Sequence, residues 1–257
     1  MKLKGKHILI TRPEPENQLS SQYFSSLGVE VNSLPMMSIE PLTQPQEHAY
    51  IQSQIFNLDI YNKVIFVSKN AVRHGIEWID HCWPQLPIGI EWIGIGEGTV
   101  NLLNQLGDHL GIVAPPPIKQ KEGYTSENLL EQQSLQNVDG EKILILRGDG
   151  GRTRLATSLE KRGAIVNSLA LYKRAKIAYS LRQISTADSV DLICITSVEG
   201  LENLIETLTF MNKNWFNKLM VTPSQRVADK AKNLGWQDVI NAQGADDNSL
   251  LAALVKL

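Results

Sequence analysis

The side chains suited to chemistry cluster in a handful of turns. Arg147-Gly-Asp-Gly-Gly-Arg152 is a glycine-rich turn between an apolar run and a helical pattern, with an arginine at each end. Amides at a helix start around Gly150, with Arg147 and Arg152 beside them, can hold an anion through charge-assisted hydrogen bonds. The same residues serve equally well as a tight strand-to-helix turn with solvent-facing arginines. No Gly-Lys-Ser/Thr follows and the GxGxxG spacing fails, so neither ATP nor a dinucleotide is specified. Ser68 and Ser197 each stop an apolar run and open a helical pattern, where a hydroxyl caps an orphan amide. Tyr172, within ALYKRAK (170–176), is the ionisable group best placed to look into a cleft. A tyrosine in a connector can equally be packed there for its ring. His7, His48, His74, His81 and His109 form no HExxH pattern, no GxSxG elbow occurs, and each histidine reads as a surface or hydrogen-bonded residue.

The elements that must position these residues come in duplicate. HILIT (7–11), Arg12 and GVEVNSL (28–34) return as KILIL (142–146), Arg147 and GAIVNSL (163–169), with the same interval from arginine to glycine. KVIFV (63–67) before Ser68 pairs with LICIT (192–196) before Ser197. IGIGEGTVNLLNQLG (93–107), containing Gly96 and Thr99, pairs with LMVTPSQRVADKAKNLG (219–235), containing Ser224 and Arg226. Each copy is an apolar run, a small turn and a helical pattern ending at glycine, the strand-helix-strand unit that a parallel sheet requires. The expected class is α/β: two similar lobes with parallel sheets flanked by helices, joined by a two-stranded connector. LPMMSIEPL (34–42) and SLALYKRAKIAY (168–179) break the rhythm at matching places and read as the chain crossings. One lobe is then discontinuous, 1–35 plus 178–257, the other is 40–169, and 36–39 and 170–177 connect them. Helix N-termini at the C-terminal sheet edges of both lobes would surround a cleft, where open α/β sheets bind ligands and where helix dipoles suit an anion. The loop APPPIKQKEGYT (114–125) reads as an exposed connection running into a helix capped by Ser126.

Bulk properties narrow the field. With 257 residues and 42% hydrophobic content, each of two lobes can bury its own core. A net charge of −2 provides no global field toward nucleic acid or an anionic membrane, so an anion site must be local. The apolar run near the start breaks at Arg12-Pro13, too short for a signal segment, and nothing approaches a membrane span. Cys82 and Cys194 stand alone, without CxxC, which argues against a disulfide frame or a zinc site. The expected location is the cytoplasm.

In their order along the chain, ILITRPEPEN, FVSKNAV, GIGEGTVNLL, TSENLL, ILRGDGGRTRL with GAIVNSLALYKR, ITSVEGL and LGWQDVINAQGADDNSLLAAL resemble the uroporphyrinogen-III synthase family over nearly the whole chain. The resemblance implies a cofactor-free monomer acting on hydroxymethylbilane, a linear tetrapyrrole with eight carboxylates. It implies Tyr172 as the catalytic acid or its partner, and Ser68, Gly96, Thr99, Ser197 and Ser224 as turns binding carboxylates largely through amides. Arg12, Arg147, Gly150 and Arg152 join them as substrate-binding candidates. Where other members often read Gly-Pro-Thr-Thr, this chain has Ser224-Gln-Arg226-Val, and Arg226 stands in for the missing threonine. The alternative from another class is a two-lobed binding protein that closes on a small polyanion without transforming it.

Overall fold

The computed structural model describes residues 5–117, 129–151 and 153–255; Ser126 and Arg152 lie outside them. The chain divides into two compact units, Met1–Ile39 with Ala175–Leu257, and Glu40–Arg174. It leaves the first unit within strand β3 (Met37–Pro41) and returns to it within β7 (Ile165–Lys176). Hydrogen bonds from Leu42 N–H to the Leu171 carbonyl and from Ser38 Oγ to the Ala175 carbonyl place β3 and β7 side by side in opposite senses.

The first unit holds β1 (His7–Ile10), α1 (Glu16–Ser26), β2 (Glu30–Ser33), α6 (Leu181–Ser185), β8 (Leu192–Cys194), α7 (Val198–Phe210), β9 (Leu219–Thr222), α8 (Gln225–Asn233), β10 (Val239–Asn241) and α9 (Asp247–Val255). Its sheet order is β10-β9-β8-β1-β2, all parallel. Burial on both faces explains the unbroken apolar runs. Ile8 and Ile10 pack with Phe24 and Leu250 on one side, while Leu9 packs with Leu201, Leu204 and Trp215 on the other.

The second unit holds α2 (Pro45–Phe56), β4 (Lys63–Phe66), α3 (Lys69–Cys82), β5 (Glu91–Gly94), α4 (Glu97–Gly107), β6 (Lys142–Gly148) and α5 (Arg154–Glu160). Its sheet order is β3-β7-β6-β4-β5, with β7, β6, β4 and β5 parallel. Ile65, Ile93, Ile143 and Ile145 pack with Leu155 and Leu159 on one face. On the other face α3 seats closely, because a Cβ on Gly75 would come within 2.8 Å of the Phe66 ring and 2.9 Å of Leu146.

The strand orders show what the duplicated sequence means. Neighbours β9-β8-β1-β2 in one sheet correspond to β5-β4-β6-β7 in the other, position by position. Since the copies run in tandem along the chain, each unit combines the first two strands of one copy with the last two of the other. The duplication is therefore swapped between the units rather than assigned one copy to each.

Candidate active site

In each unit the loops after the strands lead into helix N-termini, and the cap serines share one geometry. Ser68, Ser197 and Ser224 have φ/ψ of −165/165, −153/159 and −159/159, the extended entry of an N-cap. Ser68 Oγ accepts from Ala71 N–H at 3.1 Å and Ser197 Oγ from Gly200 N–H at 3.0 Å. Ser224 makes no side-chain cap bond, so its hydroxyl is not spent on its own helix. Gly96 opens α4 at φ 82, a conformation that glycine adopts without strain, and its carbonyl accepts from the N–H groups of both Thr99 and Val100. Thr99 is buried, whereas Arg226 is exposed in the first turn of α8.

Tyr172 joins this array in the second unit. Its hydroxyl lies 2.9 Å from Ser68 Oγ, and its ring, 3% exposed, is stacked on His74 at 5.4 Å and 29°. Two backbone features aim it. The β6–β7 register shifts after Arg147, so that Gly148 pairs with Tyr172 rather than Leu171. Consecutive side chains thereby both reach α3: Leu171 comes near Gly75, and Tyr172 meets Ser68 and His74. Gly148 then supplies a flat backbone surface under the phenol, since a Cβ there would lie 2.5 Å from Tyr172 Cε2. Burial lowers the pKa of His74 below the ordinary histidine range, with Glu77 opposing and Arg73 adding to the shift.

The arginine turns are more heavily committed than their composition indicates. Arg12 Nη1 donates to Ser20 Oγ at 3.0 Å and pairs with Asp247 at 3.2 Å, tying the end of β1 to α9. Gly150 N–H donates to the carboxylate of Asp149 at 2.8 Å, Asp149 N–H donates to the Tyr172 carbonyl at 2.7 Å, and the Arg147 guanidinium folds over Gly151. A carboxylate already sits on one amide of this turn, which makes it a poorer anion cradle than the serine-capped turns.

His74 and Gly148 were not singled out by sequence reasoning. The internal repeat carries a signal for the position that Tyr172 occupies. Tyr172 follows Arg147 by the same interval as Met37 follows Arg12, and Met37 Cε lies 3.8 Å from where a Cβ of Gly200 would stand, next to Ser197 Oγ. Ser68 and Ser197 thus each have a side chain from the crossing strand beside them, a phenol in one unit and a thioether in the other. Ser197→Ala should cost about 1 kcal/mol, the usual worth of an N-cap. Ser68→Ala should cost a further ~1 kcal/mol, because the buried phenol also loses its partner. Urea unfolding of the two variants checks the difference, and equal losses would show that the Tyr172 bond contributes nothing.

Other chemistries find little support. Cys194 is fully buried in the first unit's core, and burial pushes its thiol up to about 12. Among the described residues no cluster of metal-ligating side chains occurs, and no helix is long and apolar enough to cross a membrane.

The fold and these turns define a class: a two-unit α/β protein that presents helix N-termini and one serine–tyrosine hydroxyl pair at the C-terminal edges of parallel sheets. The Uroporphyrinogen-III synthase HemD family model matches residues 18–252, and the chain belongs to that family. It is 30% identical over 255 residues to uroporphyrinogen-III synthase of Escherichia coli (strain K12), covering 96% of this chain and 99% of that protein. It is also 30% identical over 204 residues to the Proteus mirabilis synthase, with 78% and 98% covered. In fold it is similar to a mutant uroporphyrinogen III synthase of Thermus thermophilus, with a TM-score of 0.61 at 13% identity over 98% of each chain. The uroporphyrinogen-III synthetase of Helicobacter pylori 26695 matches at 0.61 and 14%, over 98% of this chain and 99% of that one.

Proposed function

We propose that this protein is a cyclising hydro-lyase that converts hydroxymethylbilane to uroporphyrinogen III. Family membership across residues 18–252 supports the reaction, and at residue level the 2.9 Å Tyr172–Ser68 hydroxyl pair carries the reading. Loss of the terminal hydroxyl as water leaves an azafulvene electrophile. The substituted carbon of the last pyrrole attacks it to give a spiro intermediate, and fragmentation and reclosure invert that ring. Spontaneous closure gives the uninverted isomer, so most of the catalytic task is holding a flexible polyacid with the hindered carbon in reach.

The chain's residues divide that task. Amides at the Ser68 and Gly96 turns and the Thr99 hydroxyl in the second unit, and the Ser197 and Ser224 turns in the first, are offered to carboxylates, with helix dipoles in support. Arg226, exposed in the first turn of α8, adds charge in place of the family's threonine. Arg147 and Gly150 offer a secondary contact region, Arg152 is a candidate from its place in RGDGGR alone, and Arg12 acts by holding the Ser20–Asp247 cluster behind the β1 turn. Tyr172 is the general acid for the departing hydroxide. Its phenol is deeply buried while Ser68 is only half-buried, so Ser68 meets the substrate and the proton arrives from Tyr172 behind it. We infer from family likeness a cytoplasmic monomer that needs no cofactor. The binding-protein alternative is not favoured, since the similar proteins are synthases.

Incubation with enzymatically generated hydroxymethylbilane is expected to give isomer III as the main product. Isomer I alone, at the spontaneous rate, would reject the proposal.

A further inference from the structure

Resting on that reading, we propose that His74 is a positioning residue that holds Tyr172 against Ser68. Its ring stacks on the phenol at 5.4 Å and 29°, closing the side that Gly148 and Ser68 leave open. The close approach of α3 at Gly75 brings the imidazole onto β7. Stacking fixes the plane of the phenol, and with it the direction of the hydroxyl, without consuming that hydroxyl in a second hydrogen bond.

The repeat supports this independently. His74 follows Ser68 by the same interval as Asn203 follows Ser197. Asn203 also holds the crossing strand, donating from Nδ2 to the Met36 carbonyl at 3.0 Å, next to Met37. Both units therefore use the same helix position to fix the strand residue beside the cap serine. Where that residue is methionine a backbone bond suffices. Where it is a tyrosine with a directional hydroxyl, the ring itself is gripped.

The test compares His74→Ala with His74→Phe in the full-length protein, using the Cζ resonance of Tyr172 in protein labelled with ¹³C-tyrosine together with steady-state kinetics. His74→Ala is expected to shift the Tyr172 resonance and to lower kcat about tenfold with KM unchanged, because the carboxylates are held elsewhere. His74→Phe keeps the stack and is expected to restore most of the rate, so an effect on folding alone is excluded by the rescue. A Tyr172 resonance unmoved by His74→Ala would overturn the proposal, as would a kcat that falls equally in both folded variants. The resonance is read without substrate: if it moves while Tyr172→Phe turns over at full rate, positioning stands and the general-acid assignment fails.

Discussion

Tyr172→Met is expected to fold as the parent does and to turn over about ten- to a thousandfold more slowly, within or just below the usual contribution of a general acid. The protein itself supplies the packing precedent. Met37 occupies the corresponding position beside Ser197 and is 5% exposed, so a thioether fits against a serine-capped helix start in this fold. The substitution removes the hydroxyl and leaves the strand, the cap and the carboxylate-binding turns in place. KM should therefore change little while kcat falls, the signature of an interaction made in the transition state. Tyr172→Phe, which retains the ring on His74, should lose a similar factor. As the catalysed route slows, spontaneous closure should raise the share of isomer I. Circular dichroism and the thermal midpoint check the fold, and product chromatography checks the ratio. A parental kcat in both variants would remove Tyr172 from the mechanism.

The α/β class was legible because fully buried parallel strands are short apolar runs with no polar alternation, as in HILIT and KILIL, and because Gly28 and Gly163 end the helices that follow. The duplication was legible for the same reason: matching strands must meet matching core environments. How the copies divide between the units could be read from the two segments that break the rhythm, 34–42 and 168–179, since crossings there leave one lobe discontinuous. The order of strands within each sheet could not, because the same local patterns fit several orders. Within the site, the serine caps are local devices and could be read from the residues around them, and the structure confirms the cap bonds at Ser68 and Ser197. The contact between Tyr172 and Ser68 joins residues 104 positions apart through a register shift that no periodicity announces. The arginine turn shows the opposite problem. RGDGGR has the composition of an anion cradle, yet its own Asp149 carboxylate reaches the Gly150 amide first.

Gly148→Ala is expected to disable the site although it alters no polar side chain. The new Cβ would lie 2.5 Å from Cε2 and 2.7 Å from Cζ of Tyr172, contacts that no rotamer adjustment of alanine can relieve. Either the phenol swings away from Ser68 or the end of β6 moves, and overpacking of this kind costs about 1–3 kcal/mol. Turnover should fall to the level of Tyr172→Phe, because both lesions displace or remove the same hydroxyl. Since the two residues touch, their effects should not add. The double variant Gly148→Ala/Tyr172→Met is the sharper measurement: a flexible thioether can yield to the new methyl where a planar ring cannot. It should recover much of the lost stability in urea unfolding and none of the lost rate. Gly148→Ala with parental stability and turnover would mean that the ring does not rest on this glycine, and the aiming role of the β6–β7 register shift would fall with it.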